Sequence, residues 1–121
     1  MRSGLAPAAV ATTAAALLLI GQTHTSSATV PASRVGYHRV VINGAPLESL
    51  THTTAAGGMT ITGSYMILIG NHRFATVQER FGAGVPVTCQ FVTQSGQRTD
   101  FTCTGLNQSV LASSTLTITV T

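Results

Sequence analysis

The sequence has no lysine, no tryptophan and only three acids, Glu48, Glu79 and Asp100, in 121 residues. Charged residues are 7% of the chain, where a soluble domain carries about a quarter. So few carboxylates leave little material for paired-acid catalysis. There is no glycine-rich phosphate loop, HExxH, GxSxG or CxxC motif. The arginines are scattered and no basic run alternates with aromatics, so nucleic-acid binding has no footprint. Hydrophobic residues are 44%, which supports a folded core rather than a disordered polyelectrolyte. Thr, Ala, Gly and Ser stand where Lys and Glu usually stand. The length allows one small domain.

The N-terminus reads as an export address. Met1-Arg2 is a short basic region, residues 8–20 are apolar and uncharged, and residues 22–29 are small and polar. Small residues at the −3 and −1 positions fit cleavage before Thr29 (Ser26 and Ala28) or before Ser33 (Val30 and Ala32). The first is preferred, because Pro31 interrupts the second. This predicts a signal peptide over 1–28 and a single secreted β-rich domain over 29–121. The apolar run is shorter than the roughly 20 residues of a spanning helix, so no stable membrane span is expected after cleavage. No cysteine follows it for lipid attachment, and the C-terminus carries no anchor signal. The expected location is secreted or cell-envelope.

Cys89 and Cys103 are the only cysteines. In an oxidising compartment they have one possible intramolecular pairing. The flanking sequence is nearly palindromic about Gly96. Setting Cys89 opposite Cys103 sets Gln90 opposite Thr102, Phe91 opposite Phe101, Val92 opposite Asp100 and Thr93 opposite Thr99. Both cysteines and both phenylalanines then share one face, and a one-residue slip would separate them. The predicted loop is odd in length, with Gly96 supplying a positive φ. Closing a loop of this length stabilises by about 3 kcal/mol on loop-closure entropy.

Other segments also read as strands. Residues 115–121 alternate, with Leu116, Ile118 and Val120 inward and threonines outward. Residues 38–43 end at the turn signal Asn43-Gly44. Residues 59–62 alternate, and the apolar run 65–69 suggests a central strand covered on both faces. Residues 71–81 fit either a helix or a strand, and the neighbouring strands favour strand. The predicted class is all-β: a small antiparallel sandwich-like domain with one disulfide-stapled hairpin.

The run 89–104, with Phe101-Thr102-Cys103-Thr104 at its end and an alternating Thr/Val strand after it, resembles a small secreted module of unknown function common in actinobacteria. The likeness covers the last third of the chain and departs from that pattern at Gln90, where the module has Pro. It implies export and a β-rich fold and assigns no catalytic residue. Val41-Ile42-Asn43-Gly44 and Thr53-Thr54-Ala55-Ala56-Gly57 resemble parts of mycobacterial surface lipoprotein antigens, although the lipid-bearing cysteine is missing.

Candidate chemistry is sparse. His38, His52 and His72 form no HxH or HxxxH pair, so no metal or other cofactor is expected. His52 reads as a loop residue, His72 as a turn residue, and Asp100 as a solvated strand residue. A triad of a serine, a histidine and Asp100 could be drawn on paper, as in any serine-rich protein. The loop Gln94, Ser95, Gly96, Gln97 and Arg98 is the most distinctive surface, since a disulfide-held polar loop is preorganised for contact. The expectation is a non-enzymatic exported protein that binds an extracellular protein or a cell-wall component. The alternative is a secreted protease inhibitor presenting the 94–98 loop.

Overall fold

The computed structural model describes residues 36–121 and, as backbone strands, residues 12–14 and 25–29. The described residues form ten strands: β1 Thr12–Ala14, β2 Thr25–Thr29, β3 Arg39–Asn43, β4 Leu47–Thr54, β5 Thr60–Ile69, β6 Val77–Phe81, β7 Val87–Thr88, β8 Gln90–Ser95, β9 Arg98–Ser109 and β10 Thr115–Val120. One sheet runs β1-β4-β5-β9-β8 and the other β2-β3-β10-β6-β7. Only the β3–β10 pair is parallel among these ladders. The fold is all-β, with two packed sheets.

Period-2 alternation builds the core from both sides. The first sheet contributes Leu50, Met66, Leu68 and Phe101, and the second contributes Val40, Ile42, Val77, Leu116 and Ile118, all buried. Residues 77–81 form β6, as the strand reading expects, whereas 71–76 are a loop and not strand. The expected segments 59–62 and 65–69 merge into the single strand β5. It is not covered on both faces: Tyr65 points outward and is exposed. The expected loop at 51–53 is instead part of β4, which a register shift between Leu47 and Ser49 had disguised.

The hairpin keeps its predicted face but changes its tip. Phe91 pairs with Phe101 and Gln90 with Thr102, whereas Thr93, not Val92, faces Asp100. Val92 is the extra residue of a bulge, and Ser95 pairs directly with Arg98 across Gly96-Gln97. The odd residue thus moves out of the loop into the strand, leaving the two-residue connection that best suits strand twist. Gly96 has φ 58°, as expected.

The Cys89–Cys103 disulfide is formed. Cys89 lies between β7, which pairs with β6 in one sheet, and β8, which pairs with β9 in the other. The chain therefore passes from sheet to sheet at this residue. The Cys89 amide donates to Val77 O at 2.7 Å, and the sulfur bonds to β9.

The expected signal segment lies outside the described residues except for β1 and β2. These two strands are outermost in their sheets, against β4 and β3.

Gly44 turns the chain from β3 to β4 with φ 98°, and a Cβ there would collide with the Val120 carbonyl oxygen. Gly57 has φ 92° but open space around it. Gly44→Ala is expected to cost about 3 kcal/mol or more, and Gly57→Ala about 1 kcal/mol from backbone strain alone. Urea unfolding of the oxidised protein measures both; equal losses would contradict this account of the turn.

Candidate functional site

Alternation turns three neighbouring strands' polar residues inward. His52 on β4 faces Ser64 on β5, and Ser64 faces Cys103 on β9. From the opposite sheet Glu79 on β6 reaches across and accepts a hydrogen bond from Ser64 Oγ. Tyr37, just before β3, bonds through its hydroxyl to His52 Nε2 at 2.6 Å. Phe81 packs near both rings, with centroids 6.0 Å from Tyr37 and 6.4 Å from His52. All the hydrogen-bonding members of this set are buried.

Burial decides their charge. It pushes the Glu79 carboxyl up to about 7, partly offset by the Ser64 hydrogen bond. It pulls His52 down to about 4, partly offset by the Gly63 backbone. It raises Tyr37 above the usual phenol range, with the Glu79 charge adding to the effect. With both groups neutral, Tyr37 and His52 share one hydrogen bond through the hydroxyl and Nε2. Neither His52 Nδ1 nor Glu79 Oε2 has a hydrogen-bond partner among the described residues. Ser64 donates to Glu79, and His52 is engaged by Tyr37. The wiring of a nucleophile activated by its own base is therefore not what these residues form.

Glu79 also lies beside the staple: one carboxylate oxygen and the two sulfurs all fall within 4.8 Å of one another. Above Glu79 is a cavity of about 300 Å³ walled by Phe81, Val85, Val87, Leu106 and Gln108. It exists because β9 bulges. Gly63 faces Thr104 and Ile61 faces Gln108, so residues 105–107 arch opposite Thr62 alone. Glu79 forms the floor but has no surface open to solvent.

The residues singled out in the sequence are dispersed. His38 bonds Ser113 at the surface. His72 caps the β5–β6 connection, its Nε2 2.9 Å from Ile69 O. His52 is buried rather than solvent-facing. Asp100 is not solvated: Tyr65 donates to it at 2.6 Å and Arg98 lies 3.4 Å away, and the two cover it. In the 94–98 loop, Gln94 Nε2 donates to Gly96 O at 2.8 Å. Arg98 is turned back onto Asp100 rather than projecting from the tip.

A surface that the sequence reading passed over lies beside the hairpin. Phe74 is 93% exposed, and the Arg73 guanidinium sits 5.6 Å from its ring and 5.2 Å from the ring of Phe91. The loop carrying Phe74 is tied to the hairpin: Gly70 N donates to Gln97 O, and His72 N to Thr99 Oγ1. The sequence signal was an aromatic next to arginine in a turn.

The two buried titrations oppose each other. Glu79 holds its proton longer folded than unfolded, so its contribution to stability falls as pH rises from about 4.5 to about 7. His52 resists protonation when folded, so its contribution falls as pH drops from about 6.5 to about 4. Each is worth on the order of 3 kcal/mol across its window. Tyr37, Ser64 and the disulfide, which face this pair from the other elements, carry no charge in that range. Glu79→Gln should make stability rise with pH between 4 and 6.5, and His52→Gln should make it fall between 4.5 and 7. Denaturant titrations across pH 4–8 check the signs; matching slopes in the two variants would refute them.

No family model, curated protein or solved structure matches the chain.

Proposed function

We propose that the chain is an exported, non-enzymatic binding protein that attaches to a cell-wall polymer through the Arg73, Phe74 and Phe91 surface. Export rests on the tripartite N-terminus, with residues 1–28 removed and 29–121 retained. The disulfide fits an oxidising compartment. Among the described residues no helix is long and apolar enough to cross a membrane. The non-enzymatic reading is supported by the interior set. Its acid is bonded to Ser64 and its base to Tyr37, and all four are buried rather than aimed at a substrate.

The observation that carries binding is the arginine lying against two aromatic rings on a braced loop. A fully exposed phenylalanine is a poor bargain for a free surface but a good anchor for a partner. Its loop is already ordered by hydrogen bonds to the hairpin, so little entropy is lost on contact. Ring faces suit the CH-rich faces of sugar rings, and the guanidinium suits acidic substituents on the same polymer.

Intact-mass analysis of culture supernatant should find a chain beginning at Thr29. The purified protein should co-sediment with isolated cell wall. Phe74→Ala with Phe91→Ala should remove most of that binding, and Arg98→Ala should leave it unchanged. Full-length chain confined to the membrane fraction would refute export. Sedimentation indifferent to the aromatic pair would refute the surface. If the protein instead blocked a trypsin-like protease and Arg98→Ala ended the block, the inhibitor reading would replace this one.

A further inference from the structure

We propose that reduction of the Cys89–Cys103 bond converts the sheet-crossing corner into a site for a soft divalent metal ion, Zn²⁺ above all, held by both thiolates and the Glu79 carboxylate. Three observations carry this. The donors come from three separate places in the fold: β6, the β7–β8 junction and β9. Yet they already lie within 4.8 Å of one another. Glu79 Oε2 is buried and has no partner among the described residues, a costly state even for a neutral carboxyl unless something is to be bound. Glu79 is also part of the wall of the cavity of about 300 Å³, which brings open space up to one of the three donors, although Glu79 itself is closed to solvent and neither cysteine lines that space.

The chemistry balances without further participants. Two low-molecular-weight thiols supply two electrons and two protons to the disulfide and leave joined as their own disulfide. The cysteines become thiols. Binding of the metal ion then displaces both thiol protons and the proton of Glu79 to solvent. Thiolate donors select Zn²⁺ over Mg²⁺ and Ca²⁺, which prefer all-oxygen sets. Bonds of about 2.3 Å to sulfur and about 2.0–2.2 Å to oxygen bring one ion within reach of all three donors once the sulfurs part. The disulfide and the metal exclude each other, because both use the same two sulfurs. In a reducing compartment the ion would replace the staple and hold the same three elements together.

The test uses the whole protein, reduced with a dithiol that is then removed without air. Co²⁺ is the first probe, read by thiolate charge-transfer and tetrahedral visible bands, and Zn²⁺ is the competitor. Reduced protein should take up one Co²⁺ per chain and release it to Zn²⁺. Oxidised protein and the Cys89→Ser, Cys103→Ser double variant should take up none. Glu79→Gln, which keeps an acceptor for Ser64, should bind more weakly by roughly tenfold or more. If reduction unfolds the chain, Zn²⁺ should restore the far-ultraviolet β spectrum. Absence of the bands in folded reduced protein, failure of Zn²⁺ to refold an unfolded one, or unchanged affinity in Glu79→Gln would each overturn the proposal. Unchanged affinity would point to a bare dithiol chelate.

Discussion

The bond from Cys89 to Cys103 fixes the place where the chain leaves one sheet and enters the other, and the rest of the interior is arranged around it. A strand that changes sheets has to break its ladder, and the break falls at one residue. Bonding that residue to β9 while its amide donates to β6 ties the two layers together where the chain crosses between them. For a domain of this size, whose core alone is marginal, one such cross-link is a large share of total stability. It also fixes the hairpin register, since Phe91 can meet Phe101 only when the cysteines meet.

Around that corner the core is unusually polar. Hydrophobic burial would favour an aliphatic residue at 79 and another at 52. The chain places a carboxyl and an imidazole there instead, and burial keeps both mainly neutral between about pH 4 and pH 7. Each is held in the interior by one hydrogen bond, with Ser64 and with Tyr37, and each leaves one polar atom without a partner among the described residues. Two buried charges would cost far more than these two orphans. The opposed titrations follow directly. The acid is comfortable at low pH and the base at high pH, so the pair flattens a dependence that either alone would impose.

Much of the framework was legible in the sequence, because it obeys strict alternation. The threonine-faced β10, the cysteine–phenylalanine face of the hairpin and the Asn43-Gly44 turn needed only period-2 counting and turn chemistry. What escaped was set by irregularity or by distance. In β4 a register shift splits the inward set Leu47, Leu50, His52 and Thr54, and its last two members are polar, so the segment resembled a loop. The bulge at Val92 has no local marker, because it trades a longer loop for a tighter turn. Asp100 is covered by Tyr65 from a strand 35 residues away, a contact that no local pattern carries. Glu79 was within reach: Val77, Glu79 and Phe81 share one strand face, and an acid between two apolar neighbours on that face points inward. The surface of Arg73, Phe74 and Phe91 joins a loop to a strand and becomes visible only in three dimensions.

The account stands or falls on the state of Glu79 in the oxidised protein. A pH titration of its side-chain carboxyl by ¹³C nuclear magnetic resonance measures that state directly. The account predicts a midpoint near 7. A midpoint near 4.5, the ordinary value for an exposed glutamate, would contradict it.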